Sequence, residues 1–316
     1  MNILANDGIS TSAKTLLESK GFSVNIVNVA QEQLINFIND KNIVVLLVRS
    51  ATEVRKELID NCKNLKLIGR GGVGMDNIDV DYAKQKGLKV INTPAASSNS
   101  VAEIVFAHLF GSVRFLYDSN RNMPLDGDVN FKKLKKNYAS GSELSGKTLG
   151  IIGFGRIGQA TARIALGVGM KILVHDPNLN STNLSLEILN KNLDFSITID
   201  SFEDVLKNSD FITLHTPSQK KPIIGKKEIE MMKKGAGIIN ASRGGVVDED
   251  AIIENLDKNH LSFAAFDTFI NEPNPSIRLL MHPKISLTPH IGAATNEAQD
   301  RIGIELAEQI IELLNN

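Results

Sequence analysis

The sequence predicts an α/β protein with two doubly wound parallel-sheet domains, and three features support this fold class. Short apolar runs rich in β-branched residues alternate with amphipathic helical patterns along most of the chain. This alternation occurs twice, before and after a polar segment near the middle of the chain. The 316 residues exceed one usual domain, and 42% of them are hydrophobic, which is enough for two cores.

The first series of strands and helices occupies about the first hundred residues. Helical patterns such as 12–20 and 31–39 separate strands expected at 3–5, 24–27, 43–48, 65–68 and 89–91. Because parallel strands need crossover connections, this order predicts a parallel sheet. Its most apolar run is far too short to cross a bilayer and suits a buried strand.

The second series begins after a lysine-rich segment at 130–145, which we expect to be an exposed connection. Its strands are expected at 148–152, 171–175, 211–215, 237–240, 263–267 and 285–287. Between the two series, the pattern predicts one long helix over about 99–121. The stretch at 101–107 is too apolar for a surface helix and indicates burial.

Charge, cysteine content and the N-terminus restrict the class of protein. Lysine and arginine number 35 and aspartate and glutamate 36, so no broad positive field attracts nucleic acid or a membrane. Cys62 is the single cysteine, which fits a reducing compartment. The N-terminus lacks the basic and long apolar regions of an export signal. We therefore predict a cytoplasmic protein with a small-molecule partner and no metal site.

A glycine motif at 153–158 (GFGRIG) directly follows an expected strand and opens a helix that runs towards Gly167. Glycines there allow a tight turn and the close approach of a pyrophosphate, which the helix N-terminus attracts. Asp176 ends the next strand, where a carboxylate can bind ribose hydroxyls and would repel a 2′-phosphate. We therefore predict NAD as the cofactor. The predicted contacts are Gly153, Gly155, Arg156, Ile157, Gly158 and Asp176.

A second match to the same motif, at 69–74 (GRGGVG), also follows an apolar strand. The next strand ends in INTP at 91–94 without an acidic residue, so the partner for a ribose is missing. Its backbone N–H groups and arginine suit a substrate carboxylate or phosphate, although a simple tight turn is the alternative. The predicted substrate contacts are Arg70, Gly71, Gly72 and Val73, together with Arg49 and Ser50 after the strand at 43–48.

Three chemically active side chains follow later strands, at the edge where ligands of an open parallel sheet bind. His290 can exchange a proton near neutral pH, and Glu272 can bind the other ring nitrogen and favour the imidazolium. Arg243 can hold a substrate carboxylate in a two-point fork. Alone, each could instead be an exposed histidine, a helix cap or a surface ion pair. Together they predict oxidation of an alcohol or reduction of a ketone.

The other histidines are weaker candidates for proton transfer. His215, Thr216 and Pro217 follow a strand of the cofactor half, and we expect backbone and apolar contacts with the adenine side there. The remaining histidines, His108 among them, lack a comparable glycine or proline setting after a strand.

These motifs resemble those of the D-isomer-specific 2-hydroxyacid dehydrogenases over essentially all 316 residues. The segments that support the resemblance are 48–52, 69–79, 92–94, 143–150, 153–158, 241–245 and 288–293. The resemblance implies a Rossmann NAD domain (99–288) inserted into a flavodoxin-like substrate domain (1–98 and 289–316), with the active site in the cleft. It implies that Arg243, Glu272 and His290 are catalytic. Further expected cofactor contacts are Ala241, Ser242, Asp267 and Ala293.

Within the family, the strongest resemblance is to members that oxidise D-3-phosphoglycerate to 3-phosphohydroxypyruvate, the first step of phosphorylated serine biosynthesis. Glyoxylate or hydroxypyruvate reduction, or oxidation of another D-2-hydroxy acid, is the alternative, and an NAD-sensing corepressor is a remote one. Val73 replaces a threonine common in the phosphoglycerate enzymes, which puts a hydroxyl contact in doubt. No regulatory domain follows the last helix, so serine feedback is not expected. A homodimer is expected, with the helix at 101–107 as a candidate contact.

Overall fold

The computed structural model describes residues 1–314, which divide into two compact units. The first unit is Met1–Ser100 together with the described part of Ala293–Asn316, and the second is Val101–Gly292. The sequence-based boundaries after residues 98 and 288 lie a few residues earlier in both places.

The strands include every one that the sequence predicts, with ends shifted by at most two residues. They are β1 Asn2–Ala5, β2 Ser23–Asn25, β3 Ile43–Val48, β4 Leu67–Arg70, β5 Lys89–Asn92, β6 Thr148–Ile152, β7 Lys171–His175, β8 Ser181–Ile188, β9 Lys191–Thr198, β10 Phe211–Leu214, β11 Ala236–Asn240, β12 Leu261–Phe266 and β13 Ile285–Leu287.

The helices lie mostly between successive parallel strands. They are α1 Thr11–Ser19, α2 Leu34–Asp40, α3 Lys56–Asn61, α4 Val80–Gln85, α5 Ser98–Val113, α6 Leu116–Asp126, α7 Phe131–Asn137, α8 Arg156–Gly167, α9 Phe202–Asn208, α10 Lys226–Met231, α11 Glu249–Asp257, α12 Ile277–Leu280 and α13 Asn296–Leu314, with a short 3₁₀ helix at Gln31–Gln33. In the described part of the chain, no helix alone has the length and apolar character to cross a membrane. Taken together, α5 and α6, bent by 55°, meet that criterion.

The first unit contains one parallel sheet in the order β2-β1-β3-β4-β5. This is the flavodoxin-like order, in which the chain reverses its direction of travel between β1 and β3. Helix α13 packs on α1, where Gly303 leaves no room for a side chain because an added Cβ would lie 2.4 Å from Ser10 Oγ. Buried Ile302, Leu306 and Ile310 join α13 to the core of this unit.

The second unit contains a parallel sheet in the order β13-β12-β11-β10-β6-β7. The strand order reverses between β6 and β10, so the loops after these strands flank a topological switch point, where nucleotides bind in such folds. Two buried apolar clusters lie in this unit and include Ile152, Leu214 and Phe266 in one and Leu149 and Ile151 in the other. The predicted α/β fold class is therefore confirmed.

One sequence prediction about the middle of the chain is wrong, and a second, of an exposed connection, is incomplete. The single helix expected over 99–121 is instead α5 and α6, because Phe115 adopts a left-handed backbone conformation (φ 54°) that ends the first helix. The lysine-rich segment at 130–145 is not only a connection, since α7 lies within it around buried Leu134. The apolar stretch of α5 at 101–107 is largely buried, as expected. Phe110, further along the same helix, is 44% exposed.

The antiparallel hairpin of β8 and β9 is not among the strands predicted from the sequence. Its apolar residues alternate with polar ones, and Leu184 and Leu186 point into the core. Leu189 and Asn190 form the turn with positive φ angles of 50° and 60°, which is the two-residue hairpin geometry.

Candidate active site

The three predicted catalytic side chains follow three neighbouring strands of the second unit. Arg243 comes after β11, Glu272 after β12 and His290 after β13, and these strands are adjacent in the sheet. Because parallel strands end at the same edge, their following loops meet there. The order of the strands thus brings together residues that are far apart in sequence.

His290 and Glu272 form a direct pair in which His290 Nδ1 lies 2.8 Å from Glu272 Oε2. A carboxylate only accepts hydrogen bonds, so Nδ1 holds the proton. In the neutral ring, Nε2 is then the nitrogen that can accept a proton from a ligand. The side chains are 41% and 36% exposed, so a small molecule can reach the pair.

Glu272 is held by a second hydrogen bond, from the backbone N–H of Phe269 to Oε1 at 2.8 Å. Partial burial raises the pKa of Glu272, but the hydrogen bonds from His290 and Phe269 and the positive charges of His290 and Arg243 outweigh it. The pKa therefore lies below its usual value. Glu272 is ionised at neutral pH and can stabilise an imidazolium at His290.

The loop that presents Arg243 is ordered by the side chain of Asn240 at the end of β11. Asn240 Nδ2 donates to Arg243 O at 2.8 Å, and its Oδ1 accepts from the backbone and hydroxyl of Ser242. This loop packs tightly on the loop that holds Glu272, because a Cβ on Gly244 would lie 1.9 Å from Phe269 O. The close approach requires glycine and brings the charge of Arg243 near Glu272.

Asp267, the residue after β12, fixes the loop that holds His290. Its Oδ1 accepts from Ile291 N and its Oδ2 from Gly292 N, both at 2.8 Å. The side chain is almost fully buried, with 1% exposed. The expected contact of Asp267 with the nicotinamide stays a prediction, as does that of Ala293, whose carbonyl accepts from Gln299.

Glu249 is a buried carboxylate behind this site that the sequence analysis missed. Its Oε1 accepts from Ile270 N at 2.9 Å, in the same loop that leads to Glu272. Burial raises the pKa of Glu249, the hydrogen bond from Ile270 opposes the rise, and the nearby carboxylates of Asp250, Asp248 and Glu272 add to it. In the sequence it reads as an ordinary acid in the first turn of α11, so no local signal identifies it.

The glycine motif after β6 has the geometry that a dinucleotide loop requires. Gly153 has a φ of +91°, and a Cβ there would lie 2.4 Å from His215 O. A Cβ on Gly158 would lie 2.2 Å from Gly153 O, so helix and strand approach closely. Gly155 precedes α8, and nothing lies within 4 Å of its absent Cβ. The open side at Gly155 leaves the backbone accessible to a pyrophosphate.

Asp176 and the residues after β10 surround this loop. Asp176 Oδ2 accepts from Phe154 N at 2.9 Å, and its side chain is half-buried at the end of β7. Burial lowers the pKa of His215 to about 3, so the ring is neutral. His215 Nδ1 and Thr216 Oγ1 are buried polar atoms without hydrogen-bond partners in residues 1–314. Orphaned polar atoms beside an open glycine loop fit a polar ligand such as NAD.

The predicted substrate residues lie in the first unit, in the loop after β3, at the last residue of β4 and in the loop that follows it. Arg49 and Ser50 line a cavity of about 470 Å³. The backbone of Arg49 is fixed by Asp7 Oδ2, which accepts from its N–H at 2.6 Å, and by Asn77, which donates to its carbonyl. In the described chain, no ion pair engages the Arg49 guanidinium. Arg70 lies over the backbone of the glycine loop.

The glycine loop of this unit leaves little space beside Arg70. A Cβ on Gly72, whose φ is +142°, would lie 1.7 Å from Arg70 Nη1, and one on Gly71 would lie 3.5 Å from Arg49 Cγ. Glycine at 72 therefore allows Arg70 to lie along the backbone, whereas the distance at Gly71 is an ordinary contact. Val73 O accepts from Asn92 Nδ2 at 2.7 Å, which fixes the end of the loop.

Comparison with known proteins identifies the family. The model of the "D-isomer specific 2-hydroxyacid dehydrogenase, NAD binding domain" matches residues 106–292. The chain is 40% identical over 315 residues to a hydroxypyruvate reductase of Thermotoga maritima, covering 98% of this chain and 97% of that protein. It is 38% identical over 319 residues to a D-3-phosphoglycerate dehydrogenase of Methanocaldococcus jannaschii, covering 99% of this chain but 57% of that protein.

A solved structure agrees with the fold and the cofactor. The NAD⁺-bound 3-phosphoglycerate dehydrogenase of Entamoeba histolytica superimposes with a TM-score of 0.78 at 27% identity, covering 100% of this chain and 96% of that one. The matched domain is described by its binding of NAD. The predicted cofactor, NAD, is therefore confirmed.

Proposed function

The chain belongs to the D-isomer specific 2-hydroxyacid dehydrogenases, a family of NAD-dependent oxidoreductases, and from this premise we propose that it oxidises D-3-phosphoglycerate to 3-phosphohydroxypyruvate. The observation that supports this substrate is the pair Arg49 and Arg70 at the ends of the adjacent strands β3 and β4. Two guanidinium groups suit a phosphate, which unphosphorylated hydroxy acids lack.

The second unit supplies the groups for the reaction itself. Arg243 binds the substrate carboxylate, and His290 Nε2 takes the proton from the hydroxyl on carbon 2. Glu272 keeps the other ring proton on Nδ1 and stabilises the positive charge that forms on the imidazole. NAD supplies the acceptor for the hydride that leaves carbon 2. In ketone reduction the same groups act in reverse, with protonated His290 as the acid.

Gly153, Gly155 and Gly158 hold the pyrophosphate of NAD in this proposal, and Asp176 binds the adenosine ribose. Further contacts are proposed for Arg156, Ile157, His215, Thr216, Pro217, Ala241, Ser242, Asp267 and Ala293. The pair of His290 and Glu272 favours an enzyme over an NAD-sensing corepressor, since pure binding needs no oriented proton acceptor.

Reduction of hydroxypyruvate or glyoxylate is the second candidate. One observation favours it: the chain is 40% identical to the Thermotoga maritima hydroxypyruvate reductase and 38% identical to the Methanocaldococcus jannaschii phosphoglycerate enzyme. Steady-state kinetics with D-3-phosphoglycerate and NAD, and with hydroxypyruvate or glyoxylate and NADH, separates the two. A higher kcat/KM for an unphosphorylated keto acid than for phosphohydroxypyruvate would overturn our proposal.

Arg49→Ala tests the residue that we assign to the phosphate. Loss of a charge-assisted hydrogen bond should lower kcat/KM for phosphohydroxypyruvate by about ten- to hundredfold, with hydroxypyruvate changed less than about twofold. Arg55→Ala is the matched control, because Arg55 is an exposed arginine of the same unit that pairs with Glu53 and Asp79. Equal losses on both substrates would show that Arg49 supports the structure rather than phosphate recognition.

A homodimer, a cytoplasmic location and a place as the first step of phosphorylated serine biosynthesis belong to the same proposal. The exposed side of α5, which includes Phe110, is the candidate dimer contact. Sedimentation equilibrium of the protein, with Phe110→Glu as the test variant, measures this directly. We expect a dimer for the unmodified protein and dissociation of the variant.

A further inference from the structure

A buried histidine of α5 lies in a line of hydrogen bonds behind the proposed active site. His108 is 4% exposed, on a helix face that is otherwise apolar. Its Nδ1 lies 2.8 Å from Ser286 Oγ, on β13, and its Nε2 lies 2.9 Å from Thr288 Oγ1. Thr288 Oγ1 in turn lies 2.6 Å from Asp267 Oδ1. We call these four residues the His108 network.

The direction of each hydrogen bond in the His108 network follows from counting protons. The Asp267 carboxylate can only accept hydrogen bonds, so Thr288 donates its single hydroxyl proton to Oδ1. Thr288 Oγ1 must then accept from His108, which places a proton on Nε2. Burial lowers the pKa of His108, opposed by the charge of Asp267, so the ring is neutral and has only that proton. Its Nδ1 therefore accepts from Ser286.

The far end of the His108 network holds the backbone around His290. Asp267 accepts from Ile291 N and Gly292 N in addition to Thr288, so residues on both sides of His290 are bound to one carboxylate. His290 itself has a φ of 53°, in the left-handed region that side chains other than glycine rarely adopt. Such a conformation persists only where its surroundings fix it.

We propose that His108 is a positioning residue for His290: its Nε2–H fixes the Thr288 hydroxyl on Asp267 and thereby ties the loop after β13 to helix α5. His108 touches no reacting group in this arrangement and acts through the loop. This inference rests on the proposed role of His290 in proton transfer. It adds a residue outside the three side chains that perform that transfer.

Substitutions of His108 by glutamine or asparagine distinguish its hydrogen bond to Thr288 from its hydrogen bond to Ser286. The amide nitrogen of glutamine reaches about as far as Nε2 and can donate to Thr288, whereas the amide of asparagine reaches about as far as Nδ1 and serves Ser286. We therefore compare His108→Gln, His108→Asn and His108→Leu. Each removes the imidazole, so a difference among them reports on which hydrogen bond matters.

We expect His108→Leu and His108→Asn to lower kcat by about tenfold, the effect of one lost hydrogen bond of about 1.4 kcal/mol, with the Kd for NAD changed less than about twofold. His108→Gln should retain kcat within about threefold of the unmodified enzyme. The substrate is whichever of phosphohydroxypyruvate and hydroxypyruvate the unmodified enzyme reduces faster, so the comparison does not depend on the phosphate assignment. A kcat for His108→Gln as low as that for His108→Leu would overturn the proposal.

A spectroscopic measurement tests the same idea without turnover. In protein labelled with ¹⁵N-histidine, the Nδ1–H of His290, hydrogen-bonded to Glu272, should give a proton signal protected from solvent exchange. We expect faster exchange of this proton in His108→Leu and His108→Asn, and unmodified behaviour in His108→Gln. An unchanged His290 signal in all three variants would overturn the positioning role, even if the enzyme proved inactive on every 2-keto acid tested. If His108→Leu does not fold, the two amide variants still decide the outcome.

Discussion

The two glycine loops share the pattern G-x-G-x-x-G and the position after a buried parallel strand, yet the chain continues differently after each of them. At 153–158 the helix α8 begins inside the motif, at Arg156, and the side of Gly155 is open. At 69–74 no helix begins, since α4 starts only at Val80, and Arg70 occupies the space beside Gly72. The loop at 153–158 thus has a helix N-terminus beside its open backbone, whereas the loop at 69–74 has a cationic side chain beside its backbone.

The residue at the end of the next strand also differs between the two glycine loops. Asp176 accepts a hydrogen bond from Phe154 N in the loop of the second unit. Asn92, at the corresponding place in the first unit, donates instead to Val73 O. A carboxylate can bind ribose hydroxyls, whereas this amide is committed to the loop itself. The motif alone therefore does not identify a nucleotide site. The residue at the end of the following strand is needed to distinguish the two loops.

The largest expected effect tests whether proton transfer at His290 and cofactor binding at the loop 153–158 are independent of each other. His290→Ala should lower kcat by about a hundredfold or more, the usual contribution of a positioned acid or base. The Kd for NADH, measured by fluorescence titration, should stay within about twofold, because the cofactor loop follows a different strand. Loss of NADH binding together with turnover would show that the two regions are not separable.

An intermediate effect is expected from Glu272→Gln, because both groups bound to this carboxylate are donors. An amide can accept from only one of Phe269 N–H and His290 Nδ1–H through its oxygen, and its NH₂ group meets the other. We expect oxidation to slow by roughly ten- to hundredfold. Reduction needs protonated His290, which loses a negative partner, so the pH profile of reduction should move to lower pH.

The control for Glu272→Gln is Glu203→Gln, an exposed carboxylate of the same unit that pairs with Lys207. It should leave both the rate and the pH profile unchanged. A reduction profile for Glu272→Gln that coincides with the unmodified one would remove the carboxylate charge from the proposed mechanism.

The strands, the glycine loops and the residues after each strand could be predicted from the sequence because their signals are local. Apolar runs identify buried strands, and strand ends identify the edge where Arg243, Glu272 and His290 come together. The break at Phe115 was missed because a long apolar run does not show a single left-handed residue inside it.

Contacts between distant segments account for the rest of the site. Glu249 supports the loop before Glu272 from a helix that resembles any acidic N-terminus in sequence. His108 was set aside because no glycine or proline accompanies it, yet it lies opposite Ser286 and Thr288, which are almost two hundred residues away. A polar residue on a buried helix face was the one local sign that it has partners elsewhere.

The smallest expected effect is on coenzyme choice. It comes from a substitution at the end of β7 that removes the charge of Asp176 but keeps a hydrogen-bond acceptor. Asp176→Asn keeps an oxygen that can accept from Phe154 N, but its NH₂ group then replaces the oxygen that accepts from Asn178 N, and the charge that repels a 2′-phosphate is lost. The ratio of kcat/KM for NAD to that for NADP should fall by about five- to tenfold, a change of about 1 to 1.4 kcal/mol. Asn92→Ala is the matched control, because it removes the hydrogen bond to Val73 in the other loop and should leave the coenzyme ratio unchanged. Equal coenzyme ratios for Asp176→Asn and the unmodified enzyme would mean that the carboxylate serves only to hold the backbone of Phe154 and Asn178, and the two strand ends would then differ in hydrogen-bond direction alone.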